Sequence, residues 1–330
     1  MKATAIANAN IALVKYWGKR DKKLFLPNNG SISMTCDGMQ TKTTIEFSPD
    51  YDQDTLTINN DTELIKESDD LKKHIDLIRS IAGISDKAKI VSETNFPVAA
   101  GLASSASGYA ALTAAATKAL GMDLDEKALS ILTRRGSGSA CRSICEGFVE
   151  WYKGTKEDGS DSYAESIAGK NHWPEFRMIA TIVSEAKKKV SSRAGMAQTV
   201  ETCPYYKDWL ATVDNDLETI RNGIKKKDFI TVAETAEYNC LKMHATMITT
   251  KPPIIYWIPA TMEIINNVLL WREEGLHVYY TIDAGPQVKI ICLEKDVEEI
   301  NRRLLKLNGV IKTIICKPGD GVKFTNKHLF

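Results

Sequence analysis

Four short stretches of this 330-residue chain hold residue types suited to binding and transferring a phosphoryl group. The first is Pro97-Val98-Ala99-Ala100-Gly101-Leu102-Ala103-Ser104-Ser105-Ala106-Ser107, set between a strand-like and an Ala-rich, helix-like segment. Small residues let a backbone approach a ligand closely. The free N–H groups at a helix start, aided by the helix dipole, attract an anion. Phosphate is the natural occupant, with serine hydroxyls donating to its oxygens or ligating Mg²⁺. The stretch is neither a Walker A loop nor the Rossmann glycine pattern. By itself it also reads as an ordinary small-residue helix cap.

The second stretch, Asn10-Ile11-Ala12-Leu13-Val14-Lys15-Tyr16-Trp17-Gly18-Lys19, places two cations and two aromatics at the end of an apolar run. Taken alone, it is better read as a strand ending in solvated lysines. The third, Arg134-Arg135-Gly136-Ser137-Gly138-Ser139-Ala140-Cys141-Arg142-Ser143, joins guanidinium groups to a flexible loop. Arginine grips a carboxylate or phosphate through two parallel N–H bonds, although a surface loop flanked by helix-terminal arginines fits these residues equally well. The fourth, Tyr280-Thr281-Ile282-Asp283-Ala284-Gly285-Pro286, sets a carboxylate at a strand end beside a glycine-proline turn, where most carboxylates are simple turn residues. Ser191 reads as a helix N-cap, and His244 as a structural histidine.

Taken together and in this order, the stretches resemble the GHMP kinase superfamily, and within it the mevalonate diphosphate decarboxylases. Kinases of that superfamily read Pro-x-x-x-Gly-Leu-Gly-Ser-Ser, whereas Ala103 in place of the third glycine looks like the decarboxylase branch. Asn-Ile-Ala-x-x-Lys-Tyr-Trp-Gly-Lys, Arg-Arg-Gly-Ser-Gly-Ser-Ala-x-Arg-Ser and Thr-x-Asp-Ala-Gly-Pro are all met. So is Val-Ser-Ser-x-x-Gly-Met, at Val190 to Met196, and Met243-His244-Ala245 is similar to a further family motif. The resemblance runs from Asn10 to Pro286. One departure is Gly30, in Pro27-Asn28-Asn29-Gly30-Ser31-Ile32-Ser33, where the family carries a serine that could contact substrate.

The resemblance implies an α+β, GHMP kinase-like fold of two domains with a deep cleft between them. It implies ATP with Mg²⁺, cradled by Gly101, Leu102, Ala103, Ser104, Ser105 and Ser107, with Ser104 toward the metal and Ser92 near the base. Tyr16, Lys19, Ser137, Ser139, Ser192 and Arg193 correspond to residues that bind a substrate diphosphate. Arg142 corresponds to the arginine that holds the substrate carboxylate, Lys15 lies near the reacting carbon, and Asp283 orients the 3-hydroxyl and accepts its proton. The implied reaction phosphorylates the tertiary 3-hydroxyl of mevalonate 5-diphosphate and expels CO₂ to give isopentenyl diphosphate. A decarboxylase of mevalonate 5-phosphate and a 3-kinase that stops at the phosphorylated intermediate share the fold. A non-catalytic nucleotide-binding protein is the rival of a different class. The joint presence of Lys15, Arg142 and Asp283 favours decarboxylation. A homodimer is the family pattern.

The elements that must position these residues are legible from periodicity. Strands are expected at 5–16, 31–35, 41–47, 89–93, 148–152 and 178–183, and helices at 69–82, 106–120 and 126–133. The helix at 106–120, rich in Ala and Leu, should be well buried. Past residue 185 the character turns helical, at 192–200, 206–224, 230–247 and 256–274. Strands return at 278–282 and 288–293, followed by a helix at 297–307 and a strand at 310–316. Strands and helices mix without regular alternation, which predicts α+β and not a doubly wound parallel sheet. A boundary is expected near 184–188, where the run Lys187-Lys188-Lys189 falls. It separates a nucleotide-binding domain, 1–186 (ribosomal protein S5 domain 2-like), from a GHMP kinase-like C-terminal domain, 187–330.

Composition narrows the partners. The formal net charge is +1, so nothing global favours nucleic acid, and anion binding must come from local placement of Lys and Arg. No signal-peptide pattern opens the chain, and no apolar run nears the ~20 residues a membrane helix needs. The expectation is a cytoplasmic protein with no membrane partner. The seven scattered cysteines lack zinc spacing and read as buried, reduced thiols.

Overall fold

The computed structural model describes residues 1–66, 69–97, 104–186 and 188–330. The strands are β1 (Lys2–Val14), β2 (Lys19–Asp21), β3 (Leu26–Pro27), β4 (Ser31–Ser48), β5 (Thr55–Ile58), β6 (Asp61–Leu64), β7 (Lys87–Thr94), β8 (Phe148–Trp151), β9 (Ala164–Ala168), β10 (Phe176–Ile182), β11 (Tyr279–Ile282), β12 (Val288–Leu293), β13 (Lys312–Cys316) and β14 (Lys323–Phe324). The helices are α1 (Asp70–Ala82), α2 (Ser104–Ala119), α3 (Glu126–Arg134), α4 (Ser192–Thr202), α5 (Tyr206–Lys226), α6 (Phe229–Ile248), α7 (Pro259–Glu273) and α8 (Val297–Leu304), with a 3₁₀ turn at Gly138–Ser143.

An eight-stranded sheet has the order β14-β1-β4-β7-β5-β6, with β8 also paired to β4 and β9 to β8. A second sheet has the order β11-β12-β10-β13, and β2 pairs with β3. β5 and β7 are the one parallel pair among those described. β1 is buried along almost its whole length because both of its faces are covered. The alanines of α2, Ala110, Ala111, Ala114 and Ala115, are fully buried with Ala5 and Ala7 of β1, since small side chains let helix and sheet approach closely. On the other side, one apolar core runs from Ile11, Leu13 and Phe148 of the first sheet through Phe176 and Met178 of the second to Ile220 and Val232 of α5 and α6. α6 packs against both β1 and β11, so it bridges the two sheets.

Several expectations need correction. The two strands expected at 31–35 and 41–47 are one strand, β4. Its pairing with β1 jumps from Thr35 opposite Asn10 to Gln40 opposite Asn8, and Gly38 adopts φ +103° in the bulge. β10 belongs to the second sheet although it precedes the boundary expected at 186/187, and β14 returns the chain to the first sheet. Sheet membership therefore changes between Ala168 and Phe176 and changes back near the C-terminus. α7 starts at Pro259 and not at 256, because proline suits the first helical position, where no N–H donor is required. The β5–β6 hairpin was not foreseen. Its turn residues, Asn59 and Asn60, take φ +47° and +77°, the left-handed pair that suits a tight two-residue hairpin. All seven cysteines are free and buried.

Candidate active site

A cavity of about 580 Å³ opens where β1, α2, the 3₁₀ turn, the start of α4 and the end of β11 meet. Among the described residues, its charged lining consists of Lys15, Lys19, Arg142, Lys188 and Arg193 with the one carboxylate of Asp283. On a chain whose net charge is +1, this concentration of five cations selects for a polyanion. A second cavity of about 980 Å³ shares Lys19 and Arg193 and adds Lys22, Lys23, Lys73 and Arg135, so a basic channel continues from the first.

Lys15 and Asp283 form the floor. Lys15 leaves the end of β1 with its Nζ donating to Asp283 Oδ1 at 2.7 Å and to the Ala12 carbonyl at 2.8 Å. Its backbone is pinned from two sides. Asn239 on α6 accepts its N–H at 2.8 Å, and Asn29 donates to its carbonyl at 2.7 Å. Asn239 is itself held by Asp216, which also takes Lys242. Asp283 follows the last residue of β11, and its Oδ2 lies 3.2 Å from the Nζ of Lys289. That is an ion-pair distance, but it leaves Oδ2 buried without a directed hydrogen bond. Burial would push the Asp283 carboxyl up. Lys15 and Lys289 more than offset this and hold it well below the usual carboxylate range.

Arg142 sits on the 3₁₀ turn and is 3 % exposed. Its Nε donates to Asn10 Oδ1 at 3.1 Å and to Ser33 Oγ at 3.0 Å, and an η nitrogen donates to Ser31 Oγ at 2.6 Å. All three acceptors are neutral, and among the described residues Arg142 has no carboxylate in an ion pair. A buried guanidinium held only by neutral groups can still take an anionic partner. Burial lowers it from its ordinary value. Tyr16 stacks edge-on to Trp151 with centroids 4.7 Å apart, its hydroxyl buried without a partner. Burial pushes that phenol well above its ordinary value.

On the opposite wall, Ser191 caps α4 by accepting from the Ala194 N–H at 3.1 Å. Ser192 accepts from Lys188 Nζ at 2.6 Å, and the same Nζ donates to the Ala284 carbonyl at 2.8 Å. Arg193 pairs with Asp70 and donates to the Gly136 carbonyl at 3.2 Å, tying α4 to α1 and the loop after α3. Lys19 lies 4.2 Å from the Phe25 ring centroid. Burial, with like charge from Arg193 and Lys22, brings Lys19 down to about 8. Burial beside Lys289 brings Lys188 down to about 8 as well.

The structure thus gathers Lys15, Tyr16, Lys19, Arg142 and Asp283 around one cavity. Ser92, Ser104 and Ser105 reach the same cavity, as do Ser137, Ser139, Ser192 and Arg193. Gly101, Leu102 and Ala103 lie outside the described residues. Ser107, expected at the nucleotide phosphates, is fully buried and does not line the cavity; it hydrogen-bonds Thr41 Oγ1 at 2.7 Å, and Thr41 is the residue of that pair that reaches the cavity. Ser107 lies one helical turn past Ser104, on the face that α2 packs against the sheet. Gly30 also faces the interior. A β-carbon there would meet Leu217 Cδ1 at 3.1 Å and the Trp151 carbonyl at 3.2 Å, so the missing hydroxyl would not have pointed at a ligand. His244 is buried, with Nε2 3.3 Å from the Ile282 carbonyl and its ring against Trp257, and burial brings it down to about 3. That environment suits a neutral structural histidine.

Two site lysines were not foreseen. Lys188 sits in a triple-lysine run, a pattern that normally means a solvated surface. Lys289 left a clearer mark, as a charge inside the otherwise apolar alternation Val288-Lys289-Ile290-Ile291-Cys292-Leu293.

Comparison with known proteins decides the family. Residues 7–164 match the diphosphomevalonate decarboxylase-like N-terminal domain, and residues 178–319 match the mevalonate 5-diphosphate decarboxylase C-terminal domain. The diphosphomevalonate decarboxylase of Saccharomyces cerevisiae is 38% identical, over 99% of this chain and 85% of its own length.

The chain belongs to the diphosphomevalonate decarboxylase family.

Solved structures agree. The mevalonate diphosphate decarboxylase from Enterococcus faecalis, in a study of mevalonate diphosphate-mediated ATP binding, superposes with a TM-score of 0.92 at 39% identity, covering 98% of this chain and 99% of that one. A structure described as MDDEF in complex with MVAPP, AMPPCP and magnesium gives the same score, identity and coverage. The two family domains meet this chain on either side of the segment between β9 and β10, where sheet membership changes. The α+β fold expected from the sequence is therefore the family's fold.

Proposed function

We propose that this chain catalyses the ATP-dependent decarboxylation of mevalonate 5-diphosphate to isopentenyl diphosphate, with ADP, phosphate and CO₂ as the other products. The observation that carries this reading is the meeting of Lys15, Arg142 and Asp283 on the floor of one cation-rich cavity that also reaches the N-terminus of α2. A substrate with a carboxylate, a tertiary hydroxyl and a diphosphate has one group for each feature: Arg142, Asp283 and the basic wall.

The roles follow from charge and reach. Ser104 and Ser105 face the cavity from the first turn of α2, and the dipole of that helix start suits the phosphates of ATP. Among the described residues no group of three or more His, Cys, Asp or Glu side chains could hold a metal by itself. Mg²⁺ fits here as a partner of phosphate oxygens with a serine hydroxyl, consistent with its habit of binding through substrate phosphates. When bound it neutralises phosphate charge. Lys188, anchored between Ser192 and the Ala284 carbonyl, adds a cation to the cavity wall that can bind phosphate oxygens. Tyr16, Lys19, Ser137, Ser139 and Arg193 hold the diphosphate.

Asp283 accepts the hydrogen bond of the 3-hydroxyl, aims its oxygen at the phosphoryl group and takes its proton as transfer proceeds. Lys15 screens the charge that develops there. Phosphorylation makes the hydroxyl a good leaving group. As phosphate leaves, positive charge grows on the tertiary carbon, and the bond to the carboxylate supplies the electrons of the new double bond. Arg142 holds that carboxylate so that the breaking bond stays aligned with the emptying orbital.

From the family resemblance we further infer a cytoplasmic homodimer. Among the described residues no helix is long and apolar enough to cross a membrane, and sedimentation would test the dimer. The function itself is tested by supplying ATP with mevalonate 5-diphosphate or mevalonate 5-phosphate and identifying the products. Isopentenyl diphosphate from the first and little turnover of the second is expected. Preference for the monophosphate, or a phosphorylated product that keeps its carboxylate, would displace this reading.

A further inference from the structure

Lys289 stands at a strand position meant for an apolar side chain. In β12, Val288, Ile290 and Cys292 face one core and Ile291 faces the other, toward the first sheet. Lys289 points the same way as Ile291 and is completely buried. It does not line the cavity, so it cannot touch a substrate there. Its Nζ lies 3.2 Å from Asp283 Oδ2 and 3.3 Å from the Gln287 carbonyl. Lys15 occupies the other carboxylate oxygen. Oδ2 has no directed hydrogen bond and no exposure to water, so the Lys289 charge compensates it where solvent cannot.

We propose that Lys289 is a positioning residue for the reaction: from behind the cavity it braces the Oδ2 edge of Asp283, while Lys15 braces Oδ1, so that the carboxylate is presented to the substrate hydroxyl in one orientation. This rests on the reading of Asp283 given above. The groups facing Asp283 are Lys15 from the end of β1, Cys36 from β4, whose thiol is pushed well up by burial and stays neutral, Lys289 from β12, Lys188 from the loop before α4, Arg142 from the 3₁₀ turn, and Cys240 and His244 from α6. Burial pushes the Cys240 thiol up and the His244 imidazole down, so both are neutral near pH 7 and the four cations act on one carboxylate. Burial raises the carboxyl and the lysines lower it, so removing Lys289 moves it up. Activity is then lost at a higher pH as pH falls.

The test compares the wild type with Lys289→Met and Lys289→Arg. Lys289→Met is expected to lower kcat about 10-fold or more while KM stays within about 3-fold, since Lys289 does not reach the substrate. As pH falls, its kcat/KM should begin to decline at a higher pH than that of the wild type, and Lys289→Arg should restore the wild-type profile. Unchanged kcat, or a lowered kcat with the wild-type pH profile, overturns the proposal. Should Lys289→Met melt too low to assay, Lys289→Met combined with Asp283→Asn supplies the answer. Removing the uncompensated carboxylate should raise the melting temperature above that of the single variant, and a double variant no more stable overturns the proposal. A wild type that releases no CO₂ would sink the functional reading instead, and the melting comparison would still decide the ion pair.

Discussion

Lys15 and Asp283 stand 268 residues apart in the chain and meet at 2.7 Å where the end of β1 approaches the end of β11. One comes from the eight-stranded sheet and the other from the four-stranded sheet, so the pair exists only when both sheets are docked through α6. Asp283→Ala should therefore reduce kcat by at least ~10²-fold, the scale of a lost acid–base group. Lys15→Met should reduce kcat more than it raises KM. Steady-state kinetics at saturating ATP check both, and near-normal turnover in Asp283→Ala would remove the aspartate from the chemistry.

Arg142→Lys keeps a charge but loses the planar fork that spans Asn10, Ser33 and Ser31. The expected cost is about 10- to 100-fold in kcat/KM, the worth of one charge-assisted hydrogen bond. Because the carboxylate is then held less firmly, ADP formation should outrun CO₂ release. Equal rates of the two products in this variant would contradict the role given to Arg142.

Lys19 and Lys188 both titrate near pH 8, having been brought down from the ordinary lysine range chiefly by burial. Each is cationic below that pH and neutral above it, so attraction for phosphate is complete below pH 8 and fades above it. The basic limb of kcat/KM, which reports the free enzyme, should begin near pH 8. Lys19→Arg should move part of that limb to higher pH. A profile flat to pH 9.5 in the unaltered enzyme would show that neither lysine matters to binding.

Gly18 carries φ +101°, and a β-carbon on it would lie 1.9 Å from the Tyr206 hydroxyl. That hydroxyl donates to the Trp17 carbonyl at 2.7 Å and accepts from Asn28 at 2.8 Å, closing the turn that delivers Lys19. Gly18→Ala is expected to destabilise by on the order of 1–3 kcal/mol from strain alone and to raise KM for the diphosphate. Thermal melting with kinetics reads both.

Gly30→Ser restores the family residue and should do little for substrate affinity. The added side chain meets Leu217 and the Trp151 carbonyl, so the expected result is a stability loss of about 1 kcal/mol with KM unchanged within about 2-fold. A several-fold fall in KM would show that the loop moves to bring this position to the ligand.

Much of this was legible before any coordinates. The long periodic helices α5 and α6 were foreseen to within a few residues, because a 3.6-residue repeat over twenty residues has few competing readings. The β5–β6 hairpin carried a readable signal in Asn59-Asn60 that went unused. The union of two strands into β4 was hidden because Cys36-Asp37-Gly38 resembles a turn and is in fact a bulge. Sheet membership was out of reach of local pattern. β10 reads the same whether it joins the first or the second sheet, since its partners β12 and β13 lie more than a hundred residues away. In the site, motifs located the residues that face the ligand. Nothing in them pointed to the supports behind, Lys289, Asn239 and Asp216, which act through a neighbouring side chain or the backbone.

The most direct measurement is a single turnover with mevalonate 5-diphosphate labelled at its carboxyl carbon, enzyme in excess and ATP saturating, counting ADP and CO₂ from the same reaction. If Lys15, Arg142 and Asp283 act together on one bound molecule, one CO₂ appears for every ADP and the organic product is isopentenyl diphosphate. ADP without CO₂, leaving a 3-phosphorylated acid in solution, would contradict the mechanism.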